Sequence, residues 1–130
     1  MDVFVYGTLA DPERADEVLD DYEYLGEATL SGLHRVDGTY PTLAPGGETR
    51  GRLLRTADLT ALDAYEGVDR RLYTRVRVPS DTRDGSVWAY VGDPEALFAP
   101  VEWPSDGPFP ERVRDFIRSQ PVVVRADDAR

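Results

Sequence analysis

The N-terminal pattern of apolar and polar positions predicts a strand followed by a helix. Residues 2–7 alternate and are rich in β-branched and aromatic types, which favours a strand. Asp11 and Pro12 then supply a helix N-cap and a proline in the first turn. Apolar residues follow at helical spacing, so we expect a short helix that continues through Leu19.

The middle of the chain, from Tyr24 to Leu54, consists of short apolar runs broken by many glycines and prolines. Such punctuation is typical of an antiparallel meander with tight turns. We therefore expect several short strands in this region.

A second helix is predicted from Leu59 to Glu66, with Asp58 as its N-cap and Gly67 as the residue that ends it. Two further strands are expected over residues 71–79 and 85–92, which flank a turn from Asp81 to Gly85.

The last part of the chain, residues 93–130, is rich in proline. It predicts a short turn and one amphipathic helix over residues 110–119, whose apolar face would pack over the end of the sheet. The polar residues after Val124 are expected to be disordered. Strands interleaved with short helices indicate a single α+β domain over residues 1–130, and periodicity leaves open whether its sheet closes into a barrel.

The amino-acid composition excludes several classes of functional site. The chain has no cysteine, which excludes disulfides, thiolate nucleophiles and cysteine-based metal sites. Its only histidine, His34, has no second ligand at helical spacing, so we interpret it as an ordinary strand or loop residue and expect no metal site. No apolar run approaches the roughly 20 residues that span a bilayer, and there is no signal-peptide pattern, so we expect a cytoplasmic protein that does not contact membranes.

The net charge of −10 argues against a nucleic-acid partner. All fifteen basic residues are arginine, and aspartate outnumbers glutamate. Because salt screens the repulsion between scattered acids, this balance resembles that of a halophilic protein, and the alternative is an ordinary acidic surface.

Glu66 is the first candidate for chemistry. On the predicted helix it shares an arc with Leu59 and Leu62, so its carboxylate should point toward the core and be partly desolvated, which raises its pKa. The negative end of the helix dipole acts in the same direction. Such a carboxylate suits general acid/base catalysis. Helix geometry alone leaves open that Glu66 turns into water or pairs with Arg75, while Asp63, at the edge of the stripe, is expected to be solvated.

The passage from strand to loop at residues 5–9 is the second candidate. Gly7 would let a ligand approach the backbone, and successive amides can bind a carboxylate or an oxyanion. Many proteins carry such segments without a ligand. Tyr73 and Tyr90, on the two late strands, could border a pocket or simply pack in the core.

Six short motifs, in this order along the chain, resemble those of γ-glutamylcyclotransferase-like (AIG2-like) proteins. They are VFVYGTL at 3–9, YPTL at 40–43, G-x-L at 51–53, LDAYEG at 62–67, YTRVRV at 73–78 and AYV at 89–91. The resemblance covers residues 2–92 and leaves the proline-rich tail outside.

The resemblance implies a small mixed, mostly antiparallel β-barrel with flanking short helices and a cavity at one end. It implies that Glu66 is the general acid/base and that a small-molecule γ-glutamyl compound is converted to 5-oxoproline without a cofactor, by a monomer or homodimer. Substrate-binding positions implied in this way are Tyr6, Gly7, Thr8, Leu9, Tyr73 and Tyr90. Thr8 stands where the family often has serine, which keeps the hydroxyl.

Two other functions stay open. The chain could bind a γ-glutamyl or amino-acid metabolite without turning it over, since a fold does not fix a function. It could also act as an interaction protein through the proline-rich segment 94–110. Only the composition of that segment supports this hypothesis.

Overall fold

The computed structural model describes residues 1–81 and 85–127 of the chain. Within these ranges the strands are β1 (Asp2–Val5), β2 (Glu23–Asp37), β3 (Pro41–Arg55), β4 (Tyr73–Pro79), β5 (Ser86–Gly92) and β6 (Val123–Ala126). The helices are α1 (Pro12–Val18), α2 (Leu59–Glu66), α3 (Pro94–Leu97) and α4 (Phe109–Ser119), with 3-10 turns at Thr8–Ala10 and Val68–Arg70.

The six strands form one sheet in the order β4-β5-β1-β3-β2-β6. Strands β1 and β5 run parallel, and all the other neighbours are antiparallel. Just after β4, Ser80 makes a single bridge to Val124 of β6, so the two edges of the sheet approach each other. The result is a curled half-barrel with short flanking helices, which confirms the predicted α+β class and the mixed, mostly antiparallel sheet.

The sheet buries both of its faces. Because side chains alternate along a strand, Phe4 of β1 enters one core and its neighbours Val3 and Val5 enter the other. The first core, here called the inner core, collects residues from all six strands and from α4. The second, the outer core, packs the sheet against α1 and α2.

The meander predicted for residues 24–54 is instead one long hairpin, so the expectation of several short strands is wrong. Strands β2 and β3 each have 15 residues. Register shifts interrupt their pairing between Tyr24 and Gly26 and between Ser31 and Leu33. Gly26 and Gly32 have φ angles of +129° and +99° at these irregularities, so they sit in bulges inside a strand, where a turn was expected.

The tail contributes to the inner core. Helix α4 lies within one residue of its predicted start and buries Val113 and Ile117 there. The disorder expected after Val124 is wrong as far as Ala126, because β6 pairs with β2 and Val124 itself is fully buried.

The predicted N-caps of α1 and α2 are confirmed, and α1 ends at Val18, one residue before the predicted Leu19. Asp11 accepts a hydrogen bond from the amide of Glu13 at the start of α1. The turn expected between Asp81 and Gly85 includes residues 82–84, which lie outside the described residues. Within the described ranges, no helix has both the length and the apolar composition required to cross a membrane.

Candidate active site

A cavity of about 400 Å³ opens where the C-terminal ends of β1 and α2 meet. This volume falls within the range of small-molecule sites. All seven residues predicted to act on a substrate line it: Tyr6, Gly7, Thr8, Leu9, Glu66, Tyr73 and Tyr90. The remaining lining residues are Phe4, Val5, Arg14, Tyr40, Pro41, Tyr65, Arg70 and Leu72.

Helix α2 brings Glu66 to this cavity. The Asp58 side chain accepts a hydrogen bond from the amide of Ala61 and so begins the helix. Leu62 is fully buried in the outer core and fixes the rotation of the helix about its axis. Gly67 ends the helix with a φ of +74°, a left-handed conformation that glycine adopts without strain. Glu66, the last helical residue, therefore points into the cavity.

The Glu66 carboxylate is half-buried and has no compensating partner among the described residues. Burial raises its pKa from 4.5 to about 7. Within the described part of the chain it forms no hydrogen bond and no ion pair. The pairing with Arg75 that the sequence left open is not made, since the Arg75 Nη1 atom lies 3.2 Å from an Asp63 carboxylate oxygen.

The loop after β1 forms the wall of the cavity that faces Glu66. Its 3-10 turn begins with a hydrogen bond of 3.1 Å from the Ala10 amide to the Gly7 carbonyl oxygen. The amides of Thr8 and Leu9, at the start of this turn, have no acceptor within it. The Thr8 hydroxyl lies 2.6 Å from the Tyr65 hydroxyl, which ties the loop to α2 beside Glu66.

The three predicted tyrosines donate their hydroxyl protons to protein acceptors. Tyr6 donates to the Tyr90 carbonyl oxygen at 2.6 Å, Tyr73 donates to the Pro41 carbonyl oxygen, and Tyr90 donates to Asp63 at 2.6 Å. Burial is the largest cause that raises the pKa of all three phenols, and the nearby charge of Glu66 adds to it. They are therefore neutral, and their oxygens retain lone pairs that can accept a hydrogen bond.

Asp63 is the residue that sequence reasoning misjudged. It was expected to be solvated, but its side chain is only 29% exposed and binds both Tyr90 and Arg75. Arg75 also stacks over Trp88, with its guanidinium carbon 4.6 Å from the ring centroid. The spacing of three residues from Glu66 could have revealed Asp63, because positions three apart on a helix share a side.

Candidate metal ligands were sought across the described residues. His34 lies in β2 and its Nδ1 donates to the Gly46 carbonyl oxygen at 3.0 Å, as expected of an ordinary strand residue. Across residues 1–81 and 85–127, no three histidine, aspartate or glutamate side chains are grouped so that they could hold a metal ion.

Comparison with known proteins identifies the family. The sequence matches the family described as "Gamma-glutamyl cyclotransferase, AIG2-like" over residues 3–107. This match continues past residue 92, where the motif resemblance ended, and so includes part of the proline-rich segment. AIG2-like protein A of Arabidopsis thaliana is 30% identical, in an alignment that covers 72% of this chain and 64% of that protein. The chain thus spans a little under two thirds of the length of this curated relative.

Two solved structures show the same fold. The protein ytfP from Escherichia coli is 30% identical, with a TM-score of 0.56 over 72% of this chain and 83% of that chain. A structure of a γ-glutamyl cyclotransferase is 22% identical, with a TM-score of 0.59 over 72% of this chain and 66% of that chain. The chain therefore belongs to the AIG2-like γ-glutamyl cyclotransferase family.

Proposed function

We propose that the protein is a γ-glutamylcyclotransferase-type enzyme that releases 5-oxoproline and an amine or amino acid from a γ-glutamyl substrate. One observation carries this proposal. Glu66 is a cavity-lining carboxylate with a pKa near neutrality and with no partner among the described residues. A carboxylate that titrates near the working pH can both accept and donate a proton during one turnover.

The reaction is an intramolecular acyl transfer. The substrate's α-amine attacks the γ-carbonyl carbon, a new C–N bond closes the five-membered ring, and the bond from the γ-carbon to the leaving nitrogen breaks. Ionised Glu66 removes a proton from the α-ammonium group, and the protonated carboxyl then donates it to the leaving nitrogen. The ring nitrogen still carries one extra proton after the attack, and it gives this proton to the re-ionised Glu66, from which the proton passes to solvent or to the released amine. Because nucleophile and electrophile belong to one molecule, a cavity that holds the chain folded removes much of the entropic barrier.

The cavity walls supply the remaining interactions in this proposal. The amides of Thr8 and Leu9 bind the α-carboxylate or the oxyanion that develops on the γ-carbonyl oxygen. The oxygens of Tyr73 and Tyr90 accept hydrogen bonds from the α-ammonium group, since their own protons are already donated to protein acceptors. Tyr6, whose hydroxyl is bonded to a backbone carbonyl, acts as a buried wall of the cavity.

The burial of Glu66 favours turnover over simple binding. A buried carboxylate without a partner destabilises the fold when it ionises, and a protein that only binds its ligand gains nothing from this penalty. A γ-glutamyl binding protein without activity is the alternative outcome of the experiment below. A cytoplasmic location, a monomeric or homodimeric assembly and independence from cofactors stay predictions from the sequence.

The test is release of 5-oxoproline from a panel of γ-glutamyl amino acids and γ-glutamylamines by the wild type and by Glu66→Gln. General acid/base groups contribute about 10²- to 10⁴-fold to rates, so Glu66→Gln should retain the fold and lose activity by that factor. Glu111→Gln, at an exposed position in the first turn of α4, is the matched control and should keep wild-type activity.

Two results would contradict the proposal. If the wild type binds panel compounds but releases no 5-oxoproline, the protein is a binding module. If Glu66→Gln keeps wild-type turnover, the proton passes through another group.

A further inference from the structure

The cavity carries a charge opposite to that of the whole protein. The chain as a whole has a formal charge of −10. Two arginines and one glutamate line the cavity, namely Arg14, Arg70 and Glu66, so their formal charges sum to +1. When Glu66 is protonated the sum becomes +2. An acidic protein with a cationic cavity is suited to an anionic ligand.

Of the two cavity arginines, Arg70 is the one whose charge no ion pair offsets among the described residues. Within the part of the chain that the structure describes, it forms no hydrogen bond or ion pair. A Cβ atom placed on Gly67 would lie 3.1 Å from the Arg70 Nη2 atom, so the guanidinium folds back over the residue that directly follows Glu66. Arg70 is exposed to solvent and can therefore meet a ligand at the mouth of the cavity.

Arg14 differs from Arg70 in both place and pairing. Its Nε atom lies 3.4 Å from a Glu17 carboxylate oxygen, so part of its charge is already offset. It belongs to α1, the helix that directly follows the loop of Thr8 and Leu9. Arg14 therefore adds positive charge near the amides to which we assign the substrate's α-carboxylate.

On the basis of the function proposed above, we infer that Arg70 binds a carboxylate carried by the leaving amine. The preferred substrates are then γ-glutamyl amino acids, and γ-glutamyl derivatives of amines that lack a carboxylate are turned over less efficiently. Arg70 is a specificity-determining residue in this assignment and takes no part in proton transfer.

The chemistry at Glu66 explains why a cation is needed there. Glu66 must reach the leaving nitrogen, and in a γ-glutamyl amino acid the leaving group's carboxylate is separated from that nitrogen by one carbon atom. This carboxylate therefore comes close to Glu66, and two like charges in a partly buried site repel each other. A guanidinium that lines the same cavity offsets that repulsion and can bind the carboxylate through two parallel hydrogen bonds.

The experiment compares two substrates that differ only in the leaving group's carboxylate, γ-glutamylalanine and γ-glutamylethylamine. The ratio of their kcat/KM values is measured for the wild type, Arg70→Gln, Arg70→Lys and Arg114→Gln. Arg114 is exposed on α4 and does not line the cavity, so its variant controls for the loss of one positive charge.

We expect the wild type to prefer γ-glutamylalanine and Arg70→Gln to lower the ratio by about fivefold, the effect of one partly exposed ion pair. Arg70→Lys should retain an intermediate ratio, because it keeps the charge but not the planar fork. Arg114→Gln should leave the ratio at its wild-type value.

Two results would overturn the assignment. An equal loss on both substrates in Arg70→Gln would mean that Arg70 binds the α-carboxylate that both share. Wild-type kcat/KM values for both substrates in Arg70→Gln would mean that Arg70 binds neither carboxylate. If the wild type releases no 5-oxoproline, the proposed function fails. The ratio of dissociation constants for the two compounds, measured by calorimetry on the wild type and Arg70→Gln, then decides the role of Arg70 on its own.

Discussion

Glu66 couples the stability of the fold to pH. Its pKa is 4.5 in the unfolded chain and about 7 in the folded protein. Between these two values the folded state binds the proton more tightly than the unfolded state. The free energy of unfolding therefore falls as the pH rises from about 4.5 to about 7 and no longer depends on this group above that window. A shift of this size is worth on the order of 3 kcal/mol.

Glu66→Gln should thus be more stable than the wild type at high pH. Glutamine has nearly the same shape and cannot ionise, so it avoids the penalty of a buried charge. The gain in free energy of unfolding over the wild type should be larger at about pH 8 than at about pH 5.5. Urea titrations of both proteins at the two pH values measure this difference. A gain that is the same at both would show that Glu66 titrates with its ordinary pKa.

At the scale of elements, Asp63 joins α2 to the late strands. Its carboxylate accepts the Tyr90 hydroxyl proton from β5 and pairs with Arg75 of β4. Because Tyr90 lines the cavity, the same contact that holds the helix also orients a residue of the candidate site. Asp63 is in this account a positioning residue that acts through Tyr90.

Asp63→Asn should weaken both the fold and the reaction. The amide can still accept from Tyr90 but no longer pairs with Arg75, so we expect a loss of about 1 kcal/mol in unfolding free energy. We expect a fall of about tenfold in kcat with a smaller change in KM, because the substrate still binds to a cavity whose wall is less well ordered. Urea unfolding and steady-state kinetics measure these effects, and Asp69→Asn, at an exposed position on the next turn, is the control.

A loss of stability with an unchanged kcat would show that Asp63 is structural only. An Asp69→Asn variant as impaired as Asp63→Asn would point to a general effect of charge.

The elements that could be predicted are those with local signals. Helix α2 was predicted to the residue, because its N-cap Asp58 and its left-handed Gly67 are both encoded next to it. Bulges depend on the partner strand, so glycines such as Gly26 were mistaken for turns. Strand β6 was missed for the same reason, since its pairing with β2 joins positions nearly one hundred residues apart.

The residues of the candidate site also differ in whether a local sequence signal reveals them. Glu66 could be found from an apolar stripe within a single helix, and the loop around Gly7 from its motif. Arg70 could not be found, and the spacing that places Asp63 beside Glu66 does not reveal its partners, because both roles depend on which distant strand or cavity the residue faces after folding. The Arg75 contact with Asp63, for example, links α2 to β4 across the sheet.

At the scale of the whole molecule, acidic charge dominates the surface. Asp16, Asp20, Asp21 and Glu23 are all exposed within one stretch around the end of α1 and the start of β2. Like charges at this density repel one another, and salt shortens the range of that repulsion to about 3 Å at 1 M. Adaptation to high salt stays a prediction from composition.

Salt should therefore stabilise the protein. We expect the Tm to rise by about 5 °C or more as KCl increases from about 0.05 M to about 1 M. The double variant Asp20→Asn/Asp21→Asn removes two of the exposed charges and should show a higher Tm at low salt and a smaller rise. A Tm that is constant or falls with KCl would identify the acids as an ordinary solvated surface.

The central claim is that burial tunes Glu66 to transfer a proton near neutral pH. The most direct measurement is the pH dependence of kcat/KM for 5-oxoproline release by the wild type and by Glu66→Gln. Because the base must be ionised in the free enzyme, the wild-type kcat/KM should rise with pH through a midpoint near 7. Glu66→Gln should be slow at every pH and lack that midpoint. A wild-type midpoint near 4.5, or the same profile in both proteins, would contradict the claim.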